Sequence, residues 1–293
     1  IEVEMEQFTR LDNDLGVIAE VFETLTDDEF YSTLGNTKEE ILDIYKGIKE
    51  PTKMQLENIY NFAYKKGLNL NEISWQEVVD RYNKRKNKLV LAHGSGVNIK
   101  GDIRLDVSGE SNDFSDGFYM GESLAQAGMF VADKPNSSLY VLVFDKTDLK
   151  PAKFTVSVDW MLAICWYREQ IPHYADHPRI KAIQAKVAQA DYVYAPIADN
   201  KLFDIIALFA SNQITDMQCL YALTATHLGY QYVLKTPKCL ENVEIKEHLY
   251  YCALEKDKYY KMGVDEENTS MYKSLIARRK FDGIGRTIGE LLR

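Results

Sequence analysis

An α+β fold is predicted for this 293-residue chain. Three observations predict it. The first 80 residues carry apolar side chains at helical spacing together with capping pairs. After Lys88 the texture changes to short runs rich in Val, Tyr and Leu, which read as strands. Helical patterns lie between those runs without a regular strand–helix alternation, which disfavours a doubly wound sheet. An apolar content of 46% is enough to fill an ordinary core.

Val17, Ile18, Val21, Phe22 and Leu25 follow helical spacing, and Thr26 with Glu29 offers a capping box for the next helix. Thr37 with Glu40 repeats that signature ahead of Ile41, Ile44 and Tyr45, and Gly47 is placed to end that helix. Pro51-Thr52 with Gln55 opens another, whose Leu56, Ile59, Tyr60 and Ala63 share a face before Gly67. Arg81 to Lys88 (RYNKRKNK) is a basic polar run that reads as a solvated linker. Strands are expected at Leu89–Ala92, Leu139–Phe144, Tyr192–Ile197 and Tyr230–Lys235. Helices are expected from an Asp159 cap through Arg168, from Pro178 through Ala188, and from an Asp199 cap through Ala210. From about Val243 the tail reads as helical and amphipathic, with Leu275, Ile276, Ile284, Ile288 and Leu291 as docking positions and Arg278-Arg279-Lys280 on a solvated face. The expected organisation is an acidic helical module (1–80), a basic linker (81–88), a mixed core (89–242) and a helical C-terminal extension (243–293).

Residues 1–80 hold 18 acidic and 7 basic side chains, whereas the remainder holds 26 and 28, so the net charge of −9 originates in the leading segment. Such a segment repels phosphate backbones. Cys165, Cys219, Cys239 and Cys252 show no metal or disulfide-scaffold spacing, and the five histidines are scattered, with Pro172 and Pro178 interrupting the His173/His177 pair. No metal site is expected. No run approaches a membrane span, and the acidic start Ile1-Glu2-Val3-Glu4 is unlike a signal peptide, so a soluble cytoplasmic protein without membrane partners is expected.

Leu34 to Ile73 (LGNTKEEILDIYKGIKEPTKMQLENIYNFAYKKGLNLNEI) resembles the repressor and antitoxin type of helix-turn-helix. Its recognition positions include Glu39, Glu40 and Asp43, which suit neither phosphates nor guanine edges, so a structural or protein-contact role is favoured over DNA reading.

Three further pieces carry chemistry: Leu91-Ala92-His93-Gly94-Ser95, Asp113–Met120 (DFSDGFYM) with the helical GESLAQAGMF behind it, and Thr215-Asp216-Met217-Gln218. With Ile103-Arg104-Leu105 between the first two, the order resembles the ADP-ribosyltransferase superfamily of the His-Tyr-Glu type, which includes poly(ADP-ribose) polymerases and diphtheria-type toxins. The overall look is nearest to small bacterial toxin-like transferases, over roughly residues 88–240. The resemblance implies an NAD⁺ site in which His93 bonds ribose hydroxyls, Gly94 offers backbone groups and Ser95 meets the carboxamide. Tyr119 stacks on nicotinamide, Phe130 is a second aromatic, and Arg104 pairs with phosphate or the adenosine side. The family's Glu is replaced: Gln218 is the candidate third catalytic residue, with Asp216 a candidate acceptor-orienting residue. An amide accepts a ribose hydrogen bond but cannot act as a base. The implied activity is mono-ADP-ribosylation of a protein or nucleic-acid acceptor by a toxin of a toxin–antitoxin or phage-defence system, with NAD⁺ as substrate and an antitoxin or chaperone as partner. An NAD⁺ glycohydrolase and a degenerate transferase fold acting as a binding or regulatory protein stay open beside it. Read singly, the same residues are plain: Asp113 and Asp116 are loop and turn residues, and Cys219 is a small buried hydrophobe.

Overall fold

A computed structural model describes residues 10–22, 28–82, 85–106, 112–198, 200–224 and 229–293. Leu25, Thr26 and the expected Asp199 cap lie outside the described residues. In chain order come helices α1 (Leu11–Phe22), α2 (Asp28–Thr33), α3 (Lys38–Tyr45), α4 (Lys53–Lys65) and α5 (Leu70–Tyr82). Strands β1 (Lys88–Ser95) and β2 (Phe118–Gly121), helix α6 (Leu124–Val131), and strands β3 (Ser138–Asp145) and β4 (Pro151–Lys153) follow. Then come α7 (Val158–Tyr167), α8 (Pro178–Ala188), β5 (Tyr192–Pro196), α9 (Asn200–Ala210), α10 (Asp216–Thr224) and β6 (Tyr230–Leu234). Helix α11 (Pro237–Leu240), strand β7 (Val243–Leu249), and helices α12 (Ala253–Lys280) and α13 (Ile288–Leu291) complete an α+β chain.

Contacts divide the chain into two compact units assembled from separated stretches. The first comprises Ile1–Lys100, Leu124–Phe144 and Glu244–Lys261; the second comprises Gly101–Ser123, Asp145–Val243 and Met262–Arg293.

In the first unit, Thr37 and Thr52 close reciprocal capping boxes with Glu40 and Gln55, which start α3 and α4 where the sequence places them. Gly47 and Gly67 take left-handed φ values of 69° and 84° and turn the chain out of those helices. Leu15, Ile18, Ile41, Ile44 and Ile59 bury one face of the helices in a cluster that also takes in Tyr250 and Cys252. Polar bonds fasten the same module to β7 and the residues after it. Asn71 donates to the Tyr250 carbonyl at 2.8 Å and to Glu255 at 2.6 Å, and Arg10 pairs with Glu77 at 2.8 Å and Glu247 at 3.5 Å. The strands of this unit follow the order β1-β3-β7, with β3 buried almost throughout.

The second unit orders its strands β4-β5-β6-β2, with β4 parallel to β5 and the other two pairings antiparallel. Its register sets Tyr119 opposite Val233, Gly121 opposite Gln231, and Val193 opposite Val233. Because side chains alternate along a strand, Tyr119, Val193, Gln231 and Val233 share one face. That face meets a core in which Trp160 to Cys165 of α7 are wholly buried.

Several expectations change. Residues 243–249 form a strand rather than helix: Val243, Ile245, Glu247 and Leu249 alternate, and buried Glu247 is answered by Arg10. Ser157, not Asp159, caps α7 by accepting the Trp160 N–H. Helix α5 runs on through Tyr82 into the expected linker. Ile288 is buried as expected, but Leu275, Ile276 and Ile284 are exposed.

Candidate functional site

Residues 113–119 of the second unit form a clamped loop leading into β2. The Tyr119 hydroxyl donates to the Ser115 carbonyl at 2.6 Å and accepts the Phe114 N–H at 3.1 Å, closing a ring of contacts across the turn. Ser115 sits at φ 60°, a left-handed conformation that this turn imposes on a non-glycine residue. Gly117 is required by close approach, since a Cβ there would lie 2.7 Å from Val233 Cγ1 and 2.8 Å from the Leu234 carbonyl. Lys235 donates to the Phe114 carbonyl at 2.7 Å and to the Asp116 carbonyl. Burial pushes the Tyr119 phenol well above the ordinary tyrosine range, so it stays protonated and uncharged at any physiological pH.

Asp113 stands in a turn, as the sequence suggested, and is also a buried hub. Its Oδ1 takes two bonds from Arg168, at 3.0 and 2.5 Å, and its Oδ2 accepts from the Ala198 N–H at 2.9 Å and from Gln231 Nε2 at 2.6 Å. Arg168 also donates to the Ala198 carbonyl at 2.5 Å, and Gln231 to the Pro196 carbonyl at 3.2 Å. Burial raises the Asp113 carboxyl from its usual range, and the Arg168 guanidinium, the Ala198 N–H and the Gln231 amide oppose that rise. Four hydrogen bonds from three groups on a carboxylate this deeply buried fix the start of the loop, the end of β5 and β6 to one another. Arg168 and Gln231 were not anticipated. The available signals were an Arg just past the end of a helix that is apolar from Trp160 onward and a Gln in an otherwise apolar and aromatic strand.

His93, Gly94 and Ser95 close β1 in the first unit. The half-buried imidazole lies 6.2 Å from the Tyr140 ring, which itself stacks on His248 at 4.5 Å, all centroid to centroid. A Cβ on Gly94 would stand 2.2 Å from the Ala127 carbonyl, so glycine there lets α6 cross β1 closely. Ser95 Oγ accepts the Val97 N–H at 3.3 Å. Phe130, on α6, is exposed.

The remaining residues singled out from the sequence lie in the second unit. Arg104 is exposed and holds Asp106 through two bonds, the shorter 2.8 Å. Gln218 is buried with both ends of its amide engaged: the oxygen accepts the Thr215 N–H at 2.9 Å and the nitrogen donates to the Arg278 carbonyl at 2.9 Å. Asp216 Oδ1 accepts the Met217 and Arg286 N–H groups, each at 2.8 Å, and thereby holds the C-terminal segment. His93 thus belongs to one unit, and Tyr119, Gln218, Asp216 and Arg104 to the other.

All four cysteines are buried free thiols. Burial pushes Cys165 and Cys252 up to about 12 and raises Cys219 and Cys239 as well, so none is a thiolate at neutral pH. Among the described residues no group of His, Cys, Asp and Glu is arranged to hold a metal ion, and no helix is long and apolar enough to cross a membrane. A family model described as a protein of unknown function, DUF3990, matches residues 89–245. No curated protein and no solved structure matches the chain.

Proposed function

The chain belongs to the DUF3990 family, and from there we propose that it is a mono-ADP-ribosyltransferase that uses NAD⁺ and modifies a protein or nucleic-acid acceptor. The observation that carries the reading is that both motifs of the resemblance fall at strands. His93-Gly94-Ser95 ends β1 and Tyr119 is the second residue of β2, each held by its own unit's packing. An uncharged phenol fixed by two loop bonds suits stacking on a pyridine ring rather than proton transfer. The bond between ribose C1′ and nicotinamide breaks with its electron pair leaving on nicotinamide, an acceptor atom bonds C1′, and the acceptor's proton passes to solvent. Positioning supplies most of such a rate.

For the third polar role, Gln218 and Asp216 are already bonded to backbone around α10. Gln231 shares the strand face of Tyr119, so it joins them as a candidate. An amide in that role serves single transfer to a ready nucleophile better than base-assisted chain elongation. A cytoplasmic toxin with an antitoxin or chaperone partner accords with this activity.

Incubating adenine-labelled NAD⁺ with lysate and purified chain tests the reading. Covalent label on macromolecules is expected for wild type. It should fall at least about 100-fold for Tyr119→Ala and His93→Ala, the scale of losing a positioning group. Protease or nuclease digestion then identifies the acceptor. Release of free ADP-ribose alone would make the protein a glycohydrolase, and NAD⁺ left intact and unbound would defeat the enzyme reading.

A further inference from the structure

Helix α12 should be polar throughout the side opposite its docked face, but in residues 262–280 exposed apolar side chains stand there among Asp265, Asn268 and Arg279. Ser270 and Ala277 are buried on one side. At about 100° per residue, Val264, Met271, Tyr272, Leu275 and Ile276 project from the other side. They are 38, 61, 66, 54 and 39% exposed respectively. A run of exposed apolar side chains along one helix face marks an interaction surface rather than isolated surface hydrophobes.

Charge placement identifies what covers it. Asp265 and Arg279, both exposed, flank the stripe seven residues before and seven after Tyr272. Seven residues are almost two turns, so Asp265, Tyr272 and Arg279 fall close to one line down the helix. The pattern is self-complementary in one arrangement. Two copies laid antiparallel about a twofold axis at Tyr272 bring Asp265 of each against Arg279 of the other, with the apolar side chains interleaved between. A parallel pair would set like charges together. The run Asp265-Glu266-Glu267 also disfavours an anionic lipid surface as the occupant.

We propose that this face of α12 is a homodimer interface, formed by antiparallel packing of residues 264–279 with a second copy of the chain.

Sedimentation or light scattering of the full chain should report a dimer, and Met271→Asp with Leu275→Asp should yield a monomer of unchanged helical content by circular dichroism. Asp265→Arg and Arg279→Asp, made singly, should each weaken the dimer about tenfold, because each reversal spoils both symmetric ion pairs. Placed together in one chain, they should restore it. Since the native cysteines are buried, Tyr272→Cys should cross-link into a covalent dimer on mild oxidation. The proposal is overturned if the wild-type chain is monomeric, if the aspartates leave the dimer intact, if the paired reversal fails to restore association, or if Tyr272→Cys does not cross-link. Binding of wild type to anionic vesicles without self-association would reassign the stripe to a lipid surface.

Discussion

Removing the Asp113 carboxylate would strand the Arg168 guanidinium in a dry interior, together with the Ala198 N–H and the Gln231 amide that it satisfies. A buried ion pair broken on one side costs about 3–5 kcal/mol, far more than the pair contributes over an apolar replacement. Asp113→Ala should therefore lower the unfolding free energy by that margin, read as a lower urea midpoint at unchanged slope. Arg168→Met combined with Asp113→Leu should recover part of the loss. Two fully additive penalties would show that the residues do not act as a pair. At Asp113 itself nothing announces this hub, because the residue stands in a stretch whose Asp, Ser and Gly composition is that of any turn. Its partners are 55 to 118 positions away. Tyr119 was singled out for the opposite reason: the residues beside it, Gly117 and Phe118, carry the local signal.

At the scale of elements, local chemistry was readable wherever it is self-contained. The Thr37/Glu40 and Thr52/Gln55 boxes form as written, and β1, β3, β5 and β6 appear where runs of Val, Leu and Tyr stand. What escaped depends on distant partners. β7 carries Glu244 and Lys246 on one face and Glu247 on the other, and its inward Glu247 is tolerated because Arg10 reaches it. β2 is four residues long and makes sense only beside β6. The same long-range dependence predicts that α1 to α5 cannot be cut away. The core of these helices includes Tyr250 and Cys252, and Asn71 satisfies buried Glu255. A fragment beginning at residue 83 would expose that core and leave Glu247 and Glu255 without their partners. It should aggregate, or melt at least about 10 °C below the full chain, as losing several kcal/mol implies for a chain of this size. A soluble fragment with undiminished melting temperature would show that the helices are an appendage.

For the whole molecule, acidity is distributed unevenly in depth as well as along the chain. Burial raises Asp14 to about 6 and Glu255 to about 7. Tyr60 and Arg10 partly counter the rise at Asp14, Glu247 and Glu77 add to it, and Asn71 and Lys258 counter it at Glu255 while Glu72 adds. Both carboxyls hold a proton in the folded chain at pH values where the unfolded chain has released it. The folded state then binds more protons, and stability falls as pH rises through the window between about 4 and about 7. Asp191 runs the other way. The Lys150 N–H and Thr236 keep its carboxyl below the usual range, so its contribution is lost only as the solution becomes more acidic than that. Thermal stability should accordingly peak near pH 4, decline up to about pH 7 and level off by pH 8. Asp14→Asn with Glu255→Gln preserves the acceptors for Tyr60 and Asn71 while removing both titrations, so it should flatten the decline and raise the melting temperature at pH 8. Differential scanning calorimetry across that range decides the matter: a double variant that keeps the wild-type slope would place the titrating groups elsewhere in the chain.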